Sequence, residues 1–249
     1  MNYLAIIPAR YQSTRFPGKP LKKLAGKFII HHVYEKASQC FENVWVATDD
    51  NRIAQAVDSF GGKVVLTSPE HLSGTDRVAE AAFILKKQIS FDVVVNIQGD
   101  EPFVCKEQLE ALKLCFDDKN TQIATLIKLV EDDDTLFNSN RPKVVFDQQN
   151  FAMLFSRSTI PYLRGVEPNE WLKNHHFFYH LGMYAYRESV LQELTSLRPS
   201  ALECAESLEQ LRWLENGYKI KIAETKHESI GIDTPEDLLK AQDFWHKTH

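Results

Sequence analysis

The chain has 249 residues, a formal net charge of −5, 43% hydrophobic residues and four cysteines. A mildly acidic chain lacks the basic field that nonspecific DNA or RNA binding needs, so no nucleic-acid partner is expected. No apolar run reaches membrane-spanning length, and Met1-Asn2-Tyr3-Leu4 has neither a basic n-region nor a cleavage site, so neither membrane insertion nor a signal peptide is expected. Cys40, Cys105, Cys115 and Cys204 are widely spaced, with no C-x-x-C pair. That argues against a zinc site and fits free thiols in a reducing cytoplasm.

Leu4-Ala5-Ile6-Ile7 has the length and branching of a strand buried on both faces. Pro8 has no N–H to give and is expected to end its ladder. The loop that follows mixes Ser, Thr, Pro and Gly with three cations, Arg10, Arg15 and Lys19. Ligands of open α/β sheets bind beyond the C-terminal ends of the strands, so a basic loop there suits phosphates. Solvated loop cations would give the same string. The loop matches neither G-x-x-x-x-G-K-[ST] nor G-x-G-x-x-G, so side-chain cations would do more of the binding than glycine-exposed amides.

A helical pattern then runs from residue 28 toward 39. Next come a strand at 44–48 closed by Asp49-Asp50-Asn51, a helix at 53–60 stopped by Gly61-Gly62, and a strand at 63–66. An amphipathic helix at 75–87 and an almost wholly apolar strand at 91–97 follow. Four β–α steps predict a mainly parallel sheet wrapped by helices. After a helix at 106–116 and a strand at 123–129 the character changes. Residues 143–146 and 151–155 read as a hairpin across Asp147-Gln148-Gln149-Asn150. An aromatic and histidine-rich stretch at 171–179 precedes a strand at 181–186, helices at 189–196 and 202–216, and a strand at 218–223. The last helix starts after Asp233-Thr234-Pro235. The chain is expected to form one domain over 1–249, with a hairpin-containing subregion at about 130–200.

Three segments add candidate chemistry. Asn96-Ile97-Gln98-Gly99-Asp100 ends a buried strand with a carboxylate at the same sheet edge as Arg10. Mg²⁺ is often held by one or two carboxylates plus substrate phosphates, which makes Asp100 a metal-ligand candidate; a turn-forming Gly-Asp is the alternative. Asp233 is either a second carboxylate for that metal or the cap of the last helix. Ser73-Gly74-Thr75 offers hydroxyls and amides at a helix start, for an anion or for ordinary capping. Further along, Arg157 could clamp a carboxylate bidentately, and His180, Tyr184, Glu209 and Gln210 mix polar groups among apolar positions.

Read together, these strings resemble one family. Ile-Ile-Pro-Ala-Arg with Ser-Thr-Arg-Phe-Pro-Gly-Lys-Pro-Leu, Val-Ala-Thr-Asp, Ser-Gly-Thr-Asp-Arg-Val-Ala-Glu, Asn-Ile-Gln-Gly-Asp-Glu-Pro, Phe-Ser-Arg-Ser-Thr-Ile-Pro, His-Leu-Gly-Met-Tyr-Ala-Tyr-Arg, Leu-Glu-Gln-Leu-Arg and Gly-Ile-Asp-Thr-Pro-Glu-Asp-Leu are similar, in order, to the CMP-Kdo synthetases, the 3-deoxy-manno-octulosonate cytidylyltransferases. The resemblance implies a three-layer, Rossmann-like nucleotidyltransferase fold with a mainly parallel mixed central sheet and a β-rich insertion. It implies transfer of CMP from CTP to the acidic sugar Kdo with Mg²⁺, for lipopolysaccharide synthesis, in a cytoplasmic homodimer. Another 2-keto sugar acid, sialic acid or an 8-amino Kdo analogue, is the alternative acceptor.

Carried over by position, Arg10, Lys19, Asp100 and Asp233 are the catalytic set. Pro8, Ala9, Arg10, Arg15, Lys19, Ser73, Thr75 and Gln98 lie at the nucleotide, and Asp100 and Asp233 bind the metal. Gln98, Arg157, His180, Tyr184, Glu209 and Gln210 surround the sugar. The hairpin and the 171–179 stretch are the expected dimer surface. Two departures stand out: Ala201 and Cys204 in the stretch from Pro199 to Ser207, and Phe178-Tyr179-His180 where the family has Phe-Leu-Arg-His, one basic residue fewer.

Overall fold

The computed structural model describes residues 1–228 and 230–248. They form two compact units, one made of Met1–Leu109 and the chain after Glu228, the other of Glu110–Glu228. The subregion expected at about 130–200 lies inside the second. Among the described residues no helix is long and apolar enough to cross a membrane.

The first unit is built on four parallel strands. β1 (Tyr3–Ala9) lies between β6 (Val93–Asn96) and β4 (Asn43–Thr48), and β4 pairs in turn with β5 (Val64–Leu66). β2 (Lys23–Leu24) and β3 (Lys27–Phe28) form a small separate ribbon. Leu4 to Ile7 and Val93 to Val95 are fully buried, which is why both runs are apolar without alternation. Helices α1 (Ile29–Ser38), α2 (Asn51–Ser59) and α3 (Gly74–Leu85) connect the strands, and α4 (Lys106–Leu114) leads out of the unit.

Pro8 does not end the ladder. Pairing with β4 continues through Pro8↔Ala47 and Ala9↔Thr48, whereas pairing with β6 stops at Ile6↔Asn96. Ile6 accepts from Ile97 N–H on the β6 side. By alternation Pro8 turns its nitrogen to that same side, where no ladder bond is lost.

The second unit is a mixed sheet. β11 (Ile220–Glu224) runs parallel to β7 (Ile123–Leu129), β7 antiparallel to β10 (Phe178–Arg187), and β10 antiparallel to β8 (Lys143–Phe146). β8 and β9 (Ala152–Ser156) form the expected hairpin. β10 begins earlier than the pattern suggests and carries a register shift between Leu181 and Tyr184. Helices α5 (Asp133–Phe137), α6 (Trp171–Asn174) and α7 (Glu188–Ser196) belong to this unit, and the single helix expected over 202–216 is two, α8 (Ala201–Glu206) and α9 (Glu209–Glu215), because Ser207 adopts a left-handed conformation (φ 51°) between them. Trp171, Phe177 and Tyr179 of the aromatic stretch are buried in the unit's core, whereas Lys173 to His176 between them are exposed.

Candidate active site

β1 delivers the basic loop to the sheet's C-terminal edge. There a cleft of about 340 Å³ opens, walled by Pro8–Arg10, Arg15, Lys19 and residues 98–100. Gly99 makes this edge compact. A Cβ on it would stand 2.8 Å from the Pro8 carbonyl oxygen, so only glycine lets the turn after β6 press against the end of β1. Asp100 follows at once and is thereby set beside the basic loop.

Asp233 arrives from the far end of the chain. Ile232 N–H donates to the Asp100 carbonyl at 2.9 Å, and Ile232 is buried with Phe16, Leu24 and Ile29. The helix Pro235–Thr248 is capped by Thr234, not by Asp233. Thr234 Oγ1 accepts from Asp237 N–H at 3.2 Å, and Asp237 Oδ2 accepts from Thr234 N–H at 3.0 Å. The Asp233 carboxylate is thus free of capping duty and turns to the cleft. Lys19 Nζ donates to Asp100 Oδ2 at 2.5 Å and to Asp233 Oδ1 at 2.9 Å, and Arg15 lies 3.1 Å from Asp233 Oδ2. Burial alone would lower the Lys19 pKa; the Asp100 charge, with the hydrogen bonds to both carboxylates, outweighs it and holds the ammonium above its ordinary value.

On the opposite wall, Ser73 caps α3. Its hydroxyl accepts from Asp76 N–H, and the Asp76 carboxylate accepts from Ser73 N–H. Ser73 and Gly74 line the cleft, whereas Thr75 is buried beneath it. Gln98 lines it too, with its amide nitrogen 3.4 Å from Asn96 Oδ1. Lining residues to which the sequence assigns no role include His71, Leu72 and Arg77. Arg77 is 4% exposed, 3.0 Å from Asp49 Oδ1, and donates to Thr67 Oγ1 at 2.7 Å. Its signal was present in Ser-Gly-Thr-Asp-Arg, where Arg77 lies three residues after Gly74 on one helix face. His71 is held by Glu80 at 2.5 Å.

The remaining expected site residues lie together in the second unit. His180 Nε2 is 2.9 Å from Thr125 Oγ1, and its ring centroid is 5.2 Å from that of Tyr184. Burial pushes the imidazole pKa down to about 3, so the ring is neutral. Tyr184 is pushed up by burial first, then by Tyr186 and Glu209. Glu209 and Gln210 sit in the first turn of α9. Arg157 holds the entry to that turn: its guanidinium donates to the carbonyls of Glu206, Ser207 and Ser139, and its N–H to the Glu206 carboxylate. The Tyr184 hydroxyl and the Gln210 amide nitrogen are buried without a hydrogen-bond partner. Leaving such a group unpaired costs about 1–3 kcal/mol, which a polar ligand relieves.

A family model described as Cytidylyltransferase matches residues 4–222. The 3-deoxy-manno-octulosonate cytidylyltransferase of Parabacteroides distasonis is 58% identical over 248 residues, covering 98% of each chain. That of Thermodesulfovibrio yellowstonii is 49% identical and covers 97% of each. A solved CMP:2-keto-3-deoxy-manno-octonic acid synthetase, complexed with CTP, is 40% identical and superposes with a TM-score of 0.91 over the whole of both chains. The mainly parallel, mixed α/β nucleotidyltransferase fold expected from the sequence is therefore the fold observed. On these grounds the chain belongs to the cytidylyltransferase family, among the 3-deoxy-manno-octulosonate cytidylyltransferases.

Proposed function

We propose that this chain transfers CMP from CTP to Kdo, releasing pyrophosphate, with the triphosphate held in the cleft at the end of β1. The observation that carries the reading is the convergence of Asp100 and Asp233 on one ammonium, Lys19, in a cleft also lined by Arg10, Arg15 and Arg77. Four cations against two carboxylates suit a polyanion; two carboxylates turned to one point suit a hard divalent cation. The donor set fits Mg²⁺, and Asp100 and Asp233 would hold it together with phosphate oxygens. Bound there, Mg²⁺ supplies charge neutralisation and lowers the pKa of a coordinated hydroxyl.

In the reaction the anomeric C2 hydroxyl of Kdo attacks the α-phosphorus. A new O–P bond forms, the bond to the β-phosphate breaks, and pyrophosphate leaves in line. Phosphoryl-type transfer asks the protein for positioning and charge neutralisation, not for a nucleophile. Arg10, Arg15 and Lys19 neutralise the triphosphate and the charge that builds on pyrophosphate. Ala9, Ser73, Thr75 and Gln98 are assigned to the nucleotide. Gln98, Arg157, His180, Tyr184, Glu209 and Gln210 are assigned to the sugar, a reading supported by the two unpaired buried groups on Tyr184 and Gln210.

CMP-Kdo is the activated donor for lipopolysaccharide. Four free thiols support a reducing compartment, the cytoplasm. A homodimer through the hairpin is part of the proposal, supported by Met153 and Leu154 exposed on β9; a light-scattering mass of one chain overturns it. Pyrophosphate release with CTP, Mg²⁺ and Kdo, run beside UTP, sialic acid and the 8-amino analogue, tests the reaction. Release with CTP and Kdo alone is expected. Release with a different acid overturns the acceptor, and release with none overturns the function.

A further inference from the structure

The basic loop is closed on itself at one point. Gly18 N–H donates to the Tyr11 carbonyl at 2.9 Å, so residues 11–18 form a lariat whose tip, Gln12 to Arg15, is half-buried or exposed. Inside it the Phe16 N–H reaches Ser13 Oγ at 3.3 Å. Its later foot is fixed by Phe16, buried against Leu24, Ile29 and Ile232. Its earlier foot depends on Tyr11. Gly18 has a left-handed φ of 67°, and a Cβ there would meet Tyr11 Cε2 and Cζ at 3.0 Å, so the tyrosine ring lies directly against the glycine.

What holds the ring comes from another element. The Arg52 guanidinium carbon lies 3.3 Å from the Tyr11 ring centroid. Arg52 is in the first turn of α2 and is fixed by the Asp50 cap: its Nε and NH2 donate to the two Asp50 oxygens at 2.9 and 2.6 Å, and its backbone N–H to Oδ1 at 2.9 Å. Asp50 N–H in turn donates to Thr48 Oγ1, on the buried end of β4. An unbroken set of contacts runs from the central sheet through Thr48, Asp50, Arg52 and Tyr11 to Gly18, next to Lys19. The preceding residue, Asp49, fixes Arg77 on the other wall of the cleft. The Asp49-Asp50 pair at the end of β4 thus secures both sides.

We propose that Arg52 is a positioning residue for the transfer: its planar guanidinium, locked by Asp50, presses Tyr11 onto Gly18 and so sets where Arg15 and Lys19 stand. The effect on turnover rests on the reading that those two cations meet the triphosphate; the effect on the loop does not. A planar fork both stacks and pairs bidentately, which a lysine ammonium cannot do.

The test compares Arg52→Ala and Arg52→Lys with the wild type in the full chain, by hydrogen exchange without ligand and by CTP kinetics at saturating Kdo. In both variants exchange across residues 11–18 should accelerate at least about threefold, with the melting temperature unchanged because the Arg52 side chain is 58% exposed. kcat/KM for CTP should fall at least about fivefold in both. A lysine variant with wild-type exchange and kinetics overturns the proposal, since charge alone would then suffice. Slower kinetics with unchanged exchange also overturns it, because Arg52 would then act on the nucleotide directly. If the wild type itself turns over no CTP, the functional reading fails while the exchange arm still decides the clamp.

Discussion

Gly99→Ala probes the closest backbone approach at the cleft. The added Cβ would stand 2.8 Å from the Pro8 carbonyl oxygen, with Ile30 Cδ1 at 3.3 Å and Ile7 Cγ2 at 3.5 Å. Ordinary contact begins at 3.4 Å, so about 0.6 Å must be absorbed between two backbone segments that have no flexible end to yield. Overpacking of this kind costs about 1–3 kcal/mol. At about 2–4 °C per kcal/mol for a chain of this size, the melting temperature should fall by about 2–12 °C. Turnover should fall further than stability explains. Asp100 is the next residue, and a displacement approaching 1 Å costs up to about a hundredfold, so a loss of about ten- to a hundredfold at full folding is expected. Thermal melting and pyrophosphate release on the same preparation give both numbers. Gly182→Ala, whose Cβ meets nothing within 4 Å, is the packing control for stability. A Gly99→Ala protein with wild-type turnover refutes the argument that this contact sets Asp100.

His180 carries a pH prediction. Its folded pKa, about 3, is below the ordinary value of 6.5 because burial disfavours the charged ring. Between those values the unfolded chain binds a proton that the native ring does not. Stability from this group is therefore complete above pH 6.5 and is lost as pH falls toward 3, by at most about 1.4 kcal/mol per pH unit, less for a ring partly open to solvent. A His180 ring signal that titrates near 6.5 contradicts this, as does a His180→Gln variant with the same acid sensitivity. Arg157→Lys should weaken Kdo saturation more than CTP saturation, because a lysine cannot reach the carbonyls of Ser139, Glu206 and Ser207 together and the entry to α9 loosens. A rise in KM for CTP alone would count against that role.

Much of the fold was legible because burial leaves a direct trace. Leu4 to Ile7 and Val93 to Val95 are apolar on both faces, and the β8–β9 hairpin shows its turn residues at the right spacing. What was not legible depended on the choice between competing local bonds. Nothing in Asp233-Thr234-Pro235 says which residue caps the helix; the structure gives the cap to Thr234, and only that choice turns Asp233 to Lys19. The break at Ser207 interrupts a segment whose apolar spacing reads as one helix, because Arg157, fifty residues away, binds the carbonyl at the break. Pro8 read as a ladder stop, yet its missing N–H faces a side where β6 has already turned away. The cleft's cations at 10, 15 and 19 were visible as a cluster. Arg77 stands in the quoted Ser-Gly-Thr-Asp-Arg string, but its place in the cleft wall does not show there, because a helix-start arginine is ordinary until Asp49 is placed beside it.

In the proposed function, Asp100 and Asp233 together hold the Mg²⁺ of a CTP-dependent transfer. The most direct measurement is single-turnover pyrophosphate release from CTP and Kdo, across a Mg²⁺ titration, for the wild type, Asp100→Asn and Asp233→Asn. Removing either carboxylate should slow the chemical step by at least about a hundredfold and move the Mg²⁺ dependence to higher concentration, with folding unchanged. Near-normal rates with an unchanged Mg²⁺ midpoint in either variant would contradict it.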